Sequence, residues 1–349
     1  MAAKELYASI SGVTGIISIN VNESHNNSMA IANIICANTT LDIGDHVSIY
    51  LGYTDNYDRV FRGYVKMIER TVPNNTYTIT LYDDMSRAID YFIASSTPDT
   101  PFSRQNILMQ ELIRDLLQLA GLAGAGKWDA DDTHFVLGIS NAIEINLVSV
   151  WDYCKTLADA IAWHLWIDAD SVVHFKNRKP YPMEPPDGTG QIAWNDDVSE
   201  NASTPFRLDQ SFDISYRESE KELRNRVVVY GANNLVAEAE EESIWLPTGF
   251  RKSVVAAFQF IDDQGLAQDA ADYNLNLLHR LTKDITLSIE GDPSYGARKV
   301  YTIDQTFYNT VINEGAYSTN KNWYAYTVEH NWSSRGYLVN FSLHRGIGG

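Results

Sequence analysis

Several stretches carry residue types and spacings that could do chemistry. Residues 121–127, GLAGAGK, have the spacing of a phosphate-binding loop. Trp128 stands where the magnesium-binding hydroxyl must be, and no strand signal precedes the glycines, so a flexible loop after a helix is expected instead. Gly188, Gly190 and Ala193 match a dinucleotide fingerprint by letter alone, since they follow a proline-rich segment where a strand is required. Residues 129–134, DADDTH, begin like a calcium loop, but His134 replaces the turn glycine and Ser140 occupies the place of the bidentate glutamate. A solvated acidic loop is the expectation. The 8 histidines never pair at metal-ligand spacing: there is no HExxH, and His164 and His174 sit across a predicted hairpin without a third ligand nearby. No GxSxG elbow exists to expose a serine nucleophile.

Carboxylates are plentiful, as in Asp83/Asp84, Asp196/Asp197 and Glu238, Glu240, Glu241 and Glu242. A glycosidase needs two of them facing each other at a set separation, which linear spacing does not establish; such runs are expected on solvated faces or loop tips. The 20 Tyr and 8 Trp could stack on sugars, yet most fall in alternating strands or on helix faces, as Trp151 does, where burial is expected. Accordingly no catalytic, cofactor-binding or metal residue is assigned and no cofactor is expected. Cys36 and Cys154 stand in unlike contexts, which excludes a disulfide framework and fits synthesis in a reducing compartment.

The balance of 27 basic against 45 acidic residues gives a net charge of -18, a field that repels phosphate backbones and anionic lipid. Nucleic-acid or membrane-surface binding as the main task is therefore disfavoured, which leaves room for DNA that passes by without sticking. Lys4 and Glu5 lead into an alternating run rather than an apolar block, so no signal peptide is read. The longest apolar window, residues 30–37, is interrupted by Asn33 and falls far short of the roughly 20 residues of a membrane helix.

At 349 residues the chain is expected to form two or three domains. Residues 41–83 hold three strand signals: Val47/Ile49/Leu51, Phe61/Gly63/Val65/Met67 and Tyr77/Ile79/Leu81, each alternating with polar neighbours. Short turns between them predict an antiparallel meander, completed into a small barrel by Leu6/Ala8/Ile10, Ile17/Ile19/Val21 and Met29/Ile31. After the linker at 95–101 the period becomes helical from Ser103, with Leu108, Leu112, Leu116 and Leu119 on one stripe and Gly121 as the stop. A second helix is predicted from Ser149, whose spacing to Asp152 is that of a capping pair, followed by a hairpin over 164–177. Beyond the proline- and glycine-rich linker at 179–190, strands return at Phe212/Ile214/Tyr216, Val227/Val229, Leu287/Ile289, Tyr324/Tyr326/Val328 and Tyr337/Val339/Phe341/Leu343, interrupted by one helix over 266–281. The expected class is β-rich α+β: a barrel in 1–95, a helix-plus-hairpin α/β domain in 96–190, and a second, related barrel with one helix in 191–349.

This order of features resembles the baseplate hub proteins of contractile phage tails, the late control gene D type, which also form the hub portion of VgrG spike proteins. The residues that carry the resemblance are Leu41, Gly44, Asp45, Val47 and Ile49, then Phe61, Arg62, Gly63 and Val65, then residues 80–83. The stretch 150–158 and its following hairpin add to it, as do Asn225, Val227, Val229, Tyr230 and Gly231, which look like the opening strand of the second barrel. Val328, Glu329 and His330 with residues 336–343 look like its closing pair. Where the family often has a proline-glycine-aspartate turn, this chain has GDPSYGARKVYTI at 291–303.

The resemblance implies a structural protein rather than an enzyme: a homotrimer whose paired barrels make a pseudo-sixfold ring. Such a ring joins the hexameric tail tube to the trimeric spike and surrounds a channel through which DNA passes. The partners it implies are the tube protein, the spike protein and other baseplate proteins, in a virion tail made in the host cytoplasm and without membrane binding by this chain. No needle or lysozyme domain follows Gly349, so spike or wall-degrading activity is expected on another chain. Two alternatives stay open: a distal-tail adaptor of a non-contractile phage, and a carbohydrate-binding or hydrolytic tail protein.

Overall fold

The computed structural model describes residues 4–24, 27–72, 74–94, 102–176, 211–219, 223–241, 251–278, 282–303 and 321–346. Both linkers, Gly188, Gly190, Ala193, the Asp196/Asp197 pair, Glu242 and the end of the last predicted helix lie outside the described residues.

The N-terminal strands take the alternation that the sequence sets. They are β1 (Leu6–Ile10), β2 (Val13–Ser24), β3 (Ile31–Thr39), β4 (His46–Tyr53), β5 (Asn56–Thr71) and β6 (Thr76–Asp83). All pair antiparallel in the order β1-β4-β5-β6-β3-β2. Ile19, Val21, Ala32, Ile34, Val47, Ile49, Leu51, Val65, Ile79 and Leu81 are buried on one face, as a period of two requires. The two ends of this run, β1 and β2, are consecutive in the chain and separated only by residues 11–12, so the run must curl back on itself.

Two glycines make this geometry possible. Gly44, at φ +92°, turns the chain into β4; its N–H donates to the Val65 carbonyl (2.9 Å), and the Val65 N–H donates to the Asp45 carbonyl (2.9 Å). Gly63 lets β5 lie against β6 so closely that a Cβ there would sit 2.1 Å from the Tyr82 carbonyl oxygen.

The central segment contains α1 (Ser86–Asp90), β7 (Phe92–Ile93), β8 (Phe102–Arg104), β9 (Ile107–Leu108), α2 (Met109–Leu119), β10 (Trp128–Ala130), β11 (Val136–Leu137), β12 (Ile143–Ile145), β13 (Val148–Ser149), α3 (Val150–Ala160), β14 (His164–Ile167) and β15 (Val173–Lys176). The helix expected from Ser103 begins instead at Met109, because the residues before it pair as β8 with β12 and β9 with β11. Leu119, placed on the buried stripe, is 39% exposed in the last turn. The Ser149 cap is present: its hydroxyl accepts the Asp152 N–H at 3.0 Å. The hairpin is present as β14 and β15, with β10 added in parallel to β15.

The remaining elements are β16 (Ser211–Ser219), β17 (Arg226–Tyr230), β18 (Val236–Glu240), β19 (Ser253–Ala257), α4 (Gln264–Leu278), β20 (Thr282–Glu290), β21 (Val300–Ile303), β22 (Lys321–Ser333) and β23 (Gly336–Gly346). Strand β22 pairs antiparallel with β2, so β22-β23-β20-β16, with β21 beside β22, extend the N-terminal sheet into one of eleven strands. The fold is β-rich α+β.

One expectation is corrected. Asn225, Val227 and Gly231 do not open a strand of that sheet; β17 lies in a separate three-stranded sheet, antiparallel to β18 and parallel to β19. The reason is packing: Val227, Val229, Ala237 and Ala239 share a core with Ala267, Ala270 and Ala271 of α4, whose small side chains permit close approach, and with α2 and α3. The hydrophobic interior thus divides into a sheet core, built from both ends of the chain, and a central core built from the residues between them. Gly63→Ala is expected to destabilise the chain by about 2 kcal/mol or more, measured by chemical denaturation, since the new methyl meets backbone rather than a movable side chain.

Candidate functional site: the polar face across the sheet seam

The β2–β22 pairing joins the two halves of the sheet, with Asn22 opposite Glu329, Val21 opposite His330 and Asn20 opposite Asn331. Alternation sends Val21, Val328 and His330 inward and leaves Asn20, Asn22, Glu329 and Asn331 on the outer face. On β23 and β20 the same rule buries Val339, Phe341, Leu287 and Ile289 and turns out Asn340, Ser342, Thr286 and Ser288.

These outward side chains are linked across four strands. The Ser288 hydroxyl donates to Asn340 Oδ1 (2.6 Å), Asn340 Nδ2 donates to Glu329 Oε2 (2.9 Å), and Asn20 Nδ2 donates both to Glu329 Oε1 (2.6 Å) and to Asn331 Oδ1 (2.8 Å). One row away the Thr327 hydroxyl crosses the seam to Ser24 Oγ (3.1 Å), and further along the sheet the Thr80 hydroxyl donates to Asn33 Oδ1 (2.9 Å). Partial burial works to raise the Glu329 carboxyl, but hydrogen bonds from Asn340, Asn20 and Asn331 outweigh it and hold the group below the ordinary carboxylate range. Asn22, Asp213, Thr286, Thr327 and Ser342 join this row around a shallow groove that, among the described residues, no lysine or arginine lines. The face therefore offers amides, hydroxyls and fixed negative charge.

Beneath it, His330 is 2% exposed. Its Nε2 donates to the Tyr295 carbonyl (3.0 Å), which leaves Nδ1 to accept the Tyr337 hydroxyl (2.6 Å). Burial drives its pKa down to about 4 despite the Tyr295 bond and the charge of Asp292, so the ring is neutral and structural.

The other sequence-level positions separate into groups. Gly44 and Asp45, in the turn before β4, come together with Val47 on β4 and Phe61, Arg62 and Gly63 on β5, where Val47 pairs with Gly63 and Arg62 with Ser48. Asn225, Val227 and Gly231 lie apart: Asn225 Oδ1 accepts the Lys252 N–H (2.8 Å), and a Cβ on Gly231 would meet the Ile261 carbonyl at 2.6 Å. In the loop at 121–127 the Gly121 carbonyl accepts from Arg87 (3.3 Å), and Lys127 donates to the Asp170 carbonyl (2.7 Å). Asp129 and Asp131 pair with Lys176 (2.6 and 2.9 Å), and Asp129 also bonds His174 (2.9 Å). His164 contacts the Tyr324 hydroxyl (2.9 Å) in a different cluster. Among the described residues no group of three or more His, Cys, Asp or Glu could hold a metal ion.

Asp83 and Asp84 correct the solvated-face expectation: they are 5% and 6% exposed. Asp83 falls in phase with the buried Ile79 and Leu81, a signal present in the sequence. The amide row was likewise missed, although Asn20, Asn33, Asn331 and Asn340 all occupy outward positions of alternating strands.

The fold is similar to that of solved phage tail proteins. The chain is similar to the 43 kDa tail protein of prophage MuSo2 from Shewanella oneidensis over 98% of both chains, at 10% identity and a TM-score of 0.65. A tail protein from Neisseria meningitidis MC58 is similar over 98% of this chain and 96% of its own, at 9% identity and a TM-score of 0.62. The E. coli c3393 protein, a component of the type VI secretion system, is similar over 98% of this chain and 77% of its own, at 8% identity and a TM-score of 0.58. At such identities the likeness establishes the fold, and at that level it meets the resemblance read from the sequence. No family model matches the sequence, and no curated protein matches it either.

A pH dependence follows from His330. The unfolded chain binds a proton there below the ordinary imidazole value of 6.5, whereas the folded chain resists until about 4, so the stability that His330 contributes falls as pH drops through that window. The loss is expected to reach up to about 3 kcal/mol. Because the Asp83 carboxyl, raised by burial, acts in the opposite direction over the same range, the check is the difference in urea-derived stability between the unmodified chain and His330→Gln from pH 7 to 4, which should change by that amount.

Proposed function

We propose that the chain is a structural, non-enzymatic hub of a tail baseplate or related contractile injection machine, acting as a homotrimer whose two sheet modules imitate six positions around a channel. The observation that carries this reading is a fold shared over 98% of both chains with a prophage tail protein. In this reading the two modules are the strand sets β1–β6 and β16 with β20–β23, which the β2–β22 ladder joins directly into one sheet. A ring of three such chains would meet a sixfold tube on one side and a threefold spike on the other. In this reading the chain resides in the virion tail.

Two features of the sheet support ring closure. Among the described residues β16 is paired only with β20, and the last part of β5 is paired only with β6. Open strand edges are liabilities that neighbouring copies remove. The groove, with no lysine or arginine in its lining among the described residues, fits a channel wall past which DNA, or another cargo, moves without adhering.

Light scattering of the purified chain tests the assembly: the expected mass is three times 39.3 kDa, with threefold or pseudo-sixfold particles in electron micrographs. A compact monomer at every concentration would overturn the ring. Neighbouring sheath and spike chains in the particle distinguish the contractile reading from a non-contractile adaptor, and sugar release would favour a hydrolytic tail protein.

A further inference from the structure

Strand β17 reads RVVVY, apolar at consecutive positions, which is the pattern of a strand covered on both faces. One face, with Val227 and Val229, lies on α4. On the other, the register sets Val228 beside Val255 of β19, and Tyr230 between Val236 of β18 and Ala257 of β19. Val255 is 62% exposed, Tyr230, Val236 and Ala257 are exposed with it, and Val228 is the buried member of the group. Across the seam, alternation dresses the outer face of the large sheet in amides and hydroxyls. Here it presents a contiguous apolar patch, which marks a surface that meets another protein.

A second apolar surface stands on the ribbon of β7 and β13. Phe92, paired with Ser149, is 62% exposed, Tyr91 before it is exposed, and Leu147 at the entry to β13 is 80% exposed. The Leu147 N–H donates to the Ile93 carbonyl (2.7 Å) and to Asn146 Oδ1 (3.0 Å), and these bonds hold the residue at φ +57°. A branched side chain is costly in that left-handed region, and here the conformation carries it into water rather than into a core. Glu144, three residues before Leu147, and Asp152, in the first turn of the helix that follows β13, are exposed. Arg226 and Arg251 border the β17 patch, paired with Glu238 (2.5 Å) and Glu240 (2.7 Å).

We propose that the β7–β13 ribbon of one copy docks on the apolar face of the β17 sheet of the next copy, and that this contact closes the ring. The inference rests on the trimer reading above: a cyclic ring of identical chains needs two unlike surfaces on each copy, and the ribbon and the sheet face are such a pair. Phe92 and Leu147 supply the anchors, and Tyr230, Val236 and Val255 the surface that they desolvate. Charge sets the pairing. Ribbon against ribbon would bring Glu144 and Asp152 of two copies together, a repulsive juxtaposition in a chain of net charge -18. Against the sheet face the same carboxylates meet a border where arginines balance glutamates. Sheet face against sheet face would give a twofold dimer and no ring.

Light scattering of the full chain is compared with that of Leu147→Asp, Val255→Asp and, as the control for added charge, Ile43→Asp at an exposed position in the turn before β4. Circular dichroism checks that each is folded, and Val255→Thr, which keeps the branched shape on β19, repeats the test without a charge. The unmodified chain and Ile43→Asp are expected to form trimers, while Leu147→Asp and Val255→Asp each weaken association by about tenfold or more. Mixed in equal amounts, these two variants are expected to form a pair of twice 39.3 kDa, because the intact ribbon of the Val255→Asp chain meets the intact sheet face of the Leu147→Asp chain. Trimers that survive either substitution, an equal loss in Ile43→Asp, or variants that do not pair on mixing overturn the docking contact and leave the ring reading standing. An unmodified chain that stays monomeric at every concentration, or stops at a twofold dimer, overturns both.

Discussion

The structure depends on the backbone ladder between β2 and β22. These strands come from opposite ends of the chain, with Ser18 paired to Ser333 and Ser24 to Thr327, and their hydrogen bonds convert two groups of strands into one sheet. Loop-closure entropy makes so distant a pairing unfavourable to initiate. What repays it is the core beneath, where Ile19 and Val21 meet Val328, Phe341 and Leu287 without exposure to water. The seam is therefore held by burial on one face and by amide hydrogen bonds on the other.

Those two faces place opposite demands on the same strands. The inner face tolerates a histidine only because both its ring nitrogens are occupied, by a tyrosine hydroxyl and a carbonyl. The outer face carries polar groups that satisfy one another, so the Glu329 charge is fixed in place by neutral amides rather than by a cation. A surface built this way is polar without being basic.

Much of the titratable chemistry in the chain is used for construction. Lys176, His174, Asp129, Asp131 and Asp168 form a network that ties the added parallel strand β10 to the hairpin. Arg226 and Glu238 pair across β17 and β18 at 2.5 Å on an exposed sheet face, where such a bridge adds little stability but fixes register. Cys154 is enclosed between helices and its thiol is pushed far up by burial, so it behaves as a small apolar side chain.

The strands of the first sheet half, the Ser149 cap, the Gly121 stop and the hairpin were legible in the sequence because each follows from contacts a few residues apart: side-chain alternation, a hydroxyl reaching the third N–H of a helix, a glycine at positive φ. Parity also marked Asp83 as inward, for it continues the phase of Ile79 and Leu81. Alternation says which residues of a strand share a face, but not which other strand covers that face. Hence Val227 and Val229 read equally well as barrel strands and as strands packed on α4, and only the close fit of Ala267, Ala270 and Ala271 decided between them. The seam and the amide row likewise belong to tertiary structure alone, because each unites residues from the two ends of the chain whose pairing energy exists only after both have folded onto a common core.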